Sequence, residues 1–204
     1  MTLTSTIFKE SQPLKKNLNL ASYCLAIVVG LVSSSACAES FTGGQPISPQ
    51  PASASMKPGL AVDYFFDYFG HIDSLSILTE GSEGEPLANL AHRTKTGDVL
   101  TADRPMGVGA KIRGMIHLAQ TGVYTFKVES NDGVRLHIGG IKLWTDPEIH
   151  SNRWSRPLEY EVTEAGWYDF KIDYYQRKGT SALQLTWVPP AGSEETVPAE
   201  AFSH

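Results

Sequence analysis

Residues Val123–Ile138, VYTFKVESNDGVRLHI, constrain the fold more than any other part of the chain. Tyr124, Phe126 and Val128 recur at every second position before an Asn-Asp-Gly tripeptide, and Val134, Leu136 and Ile138 do so after it. A period of two places alternate side chains on one face of extended backbone, so each run reads as a strand with one apolar and one wet face. Turn-forming residues between two such runs predict an antiparallel hairpin. A lone hairpin is marginal in water, so its apolar face requires a second packed layer.

The same alternation returns along the chain. Leu60, Val62 and Tyr64 share one face, as do Ile112, Gly114, Ile116 and Leu118; Tyr168, Phe170, Ile172 and Tyr174 alternate with acids and a lysine, and Leu183, Leu185 and Trp187 with Gln184 and Thr186. Strands that each keep one solvated face pack their apolar faces together. The predicted class is therefore all-β, an antiparallel two-sheet sandwich or a closed barrel. Between Gly70 and Gly109 periodicity is weak, and that segment is expected to hold long loops, short strands and one helical turn.

The N-terminus reads as an address. Lys15 and Lys16 precede a mostly apolar run from Leu20 to Val32, and Ala36 and Ala38 occupy the small-residue positions before a cleavage after Ala38. This is the layout of a secretory signal peptide over 1–38, too short in its apolar part for a comfortable membrane span. Export places the protein outside the cytoplasm as a secreted, periplasmic or cell-surface chain. Lipid attachment at Cys37 is disfavoured, because Ser34 stands where a lipoprotein signal wants a branched apolar residue. Removal of the signal takes Cys24 and Cys37 out of reach of the folded part, which must then be stabilised by its core alone.

Residues 39–58 are rich in Pro, Ser, Gly and Ala and are expected to form a linker, with one domain over 59–204. The net charge is -5; Lys9, Lys15 and Lys16 against Glu10 give the first 38 residues +2, leaving -7 for the rest. An acidic surface with dispersed basic residues excludes a nucleic-acid partner and offers no patch for anionic membranes.

Three segments resemble the protective-antigen (PA-14) domain, a β-sandwich module of toxins, glycosidases, flocculins and adhesins. GLAVDYF at Gly59–Phe65 is similar to its first strand, TGVYTFKVESNDGVRLHIGG at Thr121–Gly140 to its central hairpin, and AGWYDFKIDYYQRKGTSALQLTW at Ala165–Trp187 to its closing strands. In calcium-dependent sugar-binding members the hairpin tip carries two adjacent acids, joined by a cis peptide, that hold Ca2+ against sugar hydroxyls. The matching positions are Asn131 and Asp132, so the resemblance implies a Ca2+ site with an amide in place of one carboxylate. Loss of that charge weakens the expected affinity. The family's Ile-Asp-Gly also reads Ile138-Gly139-Gly140 here. The competing account makes Asn131 and Asp132 turn formers only, with Gly133 supplying the positive φ that the turn needs.

The loop Trp144–Trp154, WTDPEIHSNRW, adds two indoles and several polar groups. Sugar C–H faces stack on aromatic rings while hydroxyls are hydrogen-bonded, so Trp144, Asp146, Asn152 and Trp154 are the expected glycan contacts. The opposing account has both indoles pinning the loop to the sandwich. Gln176–Thr180, QRKGT, reads as a solvated turn. No Gly-x-Ser-x-Gly, phosphate-binding loop or metal-spaced histidine pair occurs, so no catalytic role is expected. Two functions follow: an exported carbohydrate-binding module, calcium-assisted, that takes a glycan or cell-surface polysaccharide as partner; or a structural module that docks onto another exported protein.

Overall fold

The computed structural model describes Met1 and residues 38–204. The expected export signal therefore lies outside the described residues, apart from its two ends. Two sheets face each other. The first contains β1 (Glu39–Phe41), β4 (Ala91–Thr94), β6 (Gly122–Ser130), β9 (Arg153–Trp154), β10 (Leu158–Val162), β12 (Ser181–Val188) and β13 (Glu195–Thr196). Its order is β1-β10-β6-β12-β13, with β9 also on β6 and β4 also on β12. The second contains β2 (Ala61–Phe65), β3 (Ser82–Glu83), β5 (Val108–Leu118), β7 (Val134–Ile138), β8 (Ile141–Asp146), β11 (Gly166–Gln176) and β14 (Phe202–Ser203). It runs β3-β2-β5-β11-β7-β8, with β14 on β5. All pairs are antiparallel except β1 with β10.

The alternating runs supply the two inner faces. Tyr124, Phe126, Val128, Leu183, Leu185 and Trp187 from one sheet meet Val134, Leu136, Ile138, Tyr168, Phe170 and Ile172 from the other, all buried. Aromatic rings dominate the interior: Trp187 lies 5.4 Å from Tyr124, and Tyr160 crosses Tyr168 edge to face at 6.1 Å. These are distances at which ring pairs attract beyond their buried area. Gly114 interrupts its run for a steric reason, because a Cβ there would stand 2.5 Å from the Ser203 carbonyl oxygen on neighbouring β14.

The weakly periodic segment folds as expected into short pieces, with α1 (Ile72–Ser76) as its helical turn. His71 caps it, its Nδ1 accepting from the Asp73 N–H at 3.2 Å. Ile72 and Leu75 join Phe65, Phe69 and Tyr175 in a small second core under the end of the sandwich that carries the β6–β7 turn. No helix among the described residues is long and apolar enough to cross a membrane.

The linker expectation for 39–58 is corrected. Glu39–Phe41 adds a strand to β10 in parallel register, Pro46 bridges Tyr168, and Lys57 exchanges both backbone hydrogen bonds with His204. Gln50 carries the middle of the segment: its Nε2 donates to Ile47 O (2.6 Å) and its Oε1 accepts from the Trp167 N–H (2.7 Å). Pro- and Ser-rich sequence here does not mean freedom, since the segment satisfies its polar groups on the sandwich. Gln50→Ala should therefore lower stability by roughly 0.5–1.5 kcal/mol in urea melts, the ordinary worth of such hydrogen bonds, whereas a free linker would show no change.

Candidate functional site

The β6–β7 turn is built around a buried carboxylate. Asp132 is 3% exposed and adopts a left-handed backbone, φ 62°. Its Oδ1 accepts from the His150 N–H (3.1 Å) and its Oδ2 from the Arg177 N–H (2.7 Å), while its own N–H donates to His150 O (3.0 Å). One side chain thus holds the hairpin to both adjoining loops. Burial raises its pKa above the ordinary carboxylate value, and the two N–H donors oppose that rise without cancelling it. The expected role of Gly133 is corrected as well. The positive φ falls on Asp132, an acid being among the few residues that tolerate it, and Gly133 is required because a Cβ would come within 2.2 Å of the Tyr175 ring.

Asn131, 5% exposed, is equally buried in the turn. In the amide orientation that satisfies both ends, its NH2 donates to Thr180 O (2.8 Å) and Asp132 Oδ2 (3.3 Å), and its carbonyl oxygen accepts from Thr180 Oγ1 (3.2 Å). The Asn152 amide lies 2.8 Å away. Asn152 and Thr180 in turn line a cleft of about 540 Å³, completed by Arg93, Thr94, Lys95 and Ser151. This volume falls within the roughly 300–1,000 Å³ usual for small-ligand sites.

The cleft wall formed by β4 is fixed from below. His92 Nε2 lies 2.7 Å from Ser181 Oγ, and burial lowers the pKa of this imidazole. Arg93 reaches the carboxylate of Glu129 (3.2 Å), which is 2% exposed. Trp154 stands opposite Glu129 in the β6–β9 pair, with its indole 42% exposed and the Lys127 ammonium 5.9 Å from its ring. An open indole, two cations and a row of hydroxyl and amide groups therefore share the outer surface at this end of the first sheet.

The residues proposed from the sequence have separate fates. Asn131 and Asn152 are brought into contact, and Trp154 is exposed on β9 opposite Glu129. Trp144 is not: it sits on β8 of the other sheet, half-buried against the core, with the Arg156 guanidinium 5.4 Å from its ring. Asp146 is buried and clamped by Arg153 through two bonds of 2.7 and 2.6 Å, with His150 Nε2 3.1 Å from Oδ2. Arg93, Thr94, Lys95, Ser151 and Thr180 escaped sequence reasoning, because they come from three segments whose convergence no local pattern announces.

The Ca2+ site that the resemblance implies needs free Asp132 oxygens, and these point inward to backbone donors. A calcium ion needs six to eight oxygens converging on one point. Here both Asp132 oxygens accept from backbone N–H groups, the Asn131 carbonyl is taken up by Thr180, and Asp146 is neutralised by Arg153. Among the described residues no three His, Cys, Asp or Glu side chains converge as a metal-binding group. The Asn131–Asp132 peptide is trans, the only cis peptide among the described residues being Ser48–Pro49. As arranged, these groups do not fit the ion.

No curated protein matches this chain. Residues 101–201 match the family model of the PA14 domain. Among solved structures, the PA14 domain of the MpAFP antifreeze protein superposes with a TM-score of 0.63 at 19% identity, covering 77% of this chain and 96% of that one. The PA14 sugar-binding domain from an RTX adhesin gives 0.58 at 18%, covering 72% and 98%. An anti-sigma factor domain-containing protein gives 0.61 at 18% over 71% of this chain, which spans 47% of that longer protein. At such identities the likeness establishes the fold.

Asp132 gives two measurable outcomes. Asp132→Ala should destabilise by about 1–3 kcal/mol, because the His150 and Arg177 N–H groups lose their acceptor. Since the folded-state pKa is raised, the native protein holds this proton more tightly than the unfolded chain. Wild type should therefore gain stability over Asp132→Asn as pH falls through the raised pKa, the gain being complete below the unfolded value near ~3.9, and lose it as pH rises. Urea midpoints of both proteins across that range check the sign.

Proposed function

Because this chain is a PA14-domain protein, we propose that it is an exported, non-catalytic carbohydrate-binding module serving glycan recognition or surface adhesion, and that it binds its glycan without calcium. One observation carries the reading: a polar cleft at the hairpin end, lined by Asn152, Thr180, Ser151 and Thr94, with the exposed indole of Trp154 two residues along the chain from Asn152. The amide and hydroxyls offer donors and acceptors to sugar hydroxyls, and the indole offers a flat apolar face to pyranose C–H groups. The sugar-binding description of the RTX adhesin domain supports the same assignment.

What supports the calcium-free mode is the commitment of the Asp132 and Asp146 carboxylates to internal donors. Asn131 acts indirectly, by fixing Thr180 and the Asn152 amide at the cleft floor. The relevant polar groups are thus preorganised by the turn, which lowers the ordering cost of binding.

A glycan array followed by calorimetry on its hits tests the reading. Asn152→Ala should weaken binding about tenfold, or about 1.4 kcal/mol, and binding should quench or shift Trp154 fluorescence in a manner that Trp154→Ala abolishes. Neither calcium nor EDTA should move the melting midpoint or the affinity. An array without hits would leave the protein as a docking module for a larger exported assembly.

A further inference from the structure

The cleft is cationic in a protein whose net charge is negative. Arg93 and Lys95 both line it and no carboxylate does; the nearest acid in contact with either, Glu129, is buried and faces Arg93 from beneath. Lys95 is exposed and makes no ion pair among the described residues. Two basic residues close in sequence thus face one concavity without a lining acid, whereas Arg153 on β9 has its charge matched by Asp146.

Resting on the glycan reading above, we infer that the cleft selects anionic saccharides, sugars bearing a carboxylate or a sulfate. Lys95 supplies the uncompensated charge, Arg93 a guanidinium whose remaining N–H groups can fork onto a planar anion, and Asn152, Ser151 and Thr180 the contacts to the ring hydroxyls. The geometry has a reason for keeping Glu129. Buried under Arg93, it holds the guanidinium in one place at the cleft wall, so that the ligand does not bear the entropy cost of ordering a long side chain. A calcium ion would be redundant in such a site, since the protein already carries the positive charge that the ion would bring.

The experiment uses the full chain and four probes: trigalacturonate, its neutral galactose counterpart, a sulfated galactan trisaccharide, and galacturonate monomer, titrated by calorimetry. Trigalacturonate or the sulfated trisaccharide should bind about tenfold more tightly than the neutral sugar near ~50 mM salt, as expected for one or two exposed ion pairs. The ratio should shrink towards unity near ~0.5 M salt, where screening is short-ranged. Which of the two anionic trisaccharides binds better identifies the acid group. Lys95→Gln should reduce the ratio severalfold; this exposed position is chosen because replacing Arg93 would strand Glu129. Equal binding of anionic and neutral trisaccharides overturns the inference and leaves the glycan reading standing. Full retention of the preference in Lys95→Gln overturns it too, by moving the site elsewhere. Absence of binding by every probe and by an unbiased array overturns both.

Discussion

The end of the sandwich that carries the cleft depends on one buried carboxylate. Asp132 joins three pieces of chain that share no regular ladder: the hairpin turn, the loop before β9 and the turn between β11 and β12. Irregular backbone buried at a sheet end must find acceptors for its N–H groups or bear the cost of leaving them unpaired. Two lone-pair-rich oxygens at one point solve this for His150 and Arg177 together. The Arg177 side chain carries the connection further, donating to Tyr68 O (2.9 Å) and Phe69 O (3.1 Å). Segments with few ladder bonds are otherwise the first to open locally, so the rigidity of the Asn152 and Thr180 side chains at the cleft floor is inherited from this acid.

Such a use of Asp132 is a different solution to the same geometric problem that a metal would solve. A cation gathers loops by attracting several oxygens; here an anion gathers them by attracting several N–H groups. The two schemes exclude each other at one side chain, because a carboxylate whose oxygens point at backbone donors cannot turn them to a cation without releasing the loops. The amide at Asn131 fits the second scheme, offering a donor to Thr180 and an acceptor to its hydroxyl.

Period-two runs made the long strands legible from sequence, and even Gly114 in its run marked a real close approach. Residues 39–58 were misread because composition speaks of intrinsic flexibility, while the segment is held through backbone groups and one Gln side chain whose partner is 117 positions away. The burial of Asp132 was equally hidden, since its donors lie 18 and 45 residues along the chain. Trp144 and Trp154 looked like a pair because they bracket one loop, yet that loop crosses from one sheet to the other and parts them. Asn152 was found from its chemistry; Arg93 and Lys95 were not, because no local pattern announces that their segment meets the Asn152 loop at one cleft.

The short strands of the first sheet have a consequence of their own. The far edge of β12 is paired by β4 over Ser181–Gln184 and by β13 over Thr186–Trp187, and that of β6 by β10 over Gly122–Phe126 and by β9 over Glu129–Ser130, so little of either long strand is left as open ladder. The outermost members of that sheet, β1, β4 and β13, are no longer than four residues. Edges so brief give a neighbouring copy too few donors and acceptors to template on. A second copy therefore finds little on this sheet to add a strand to.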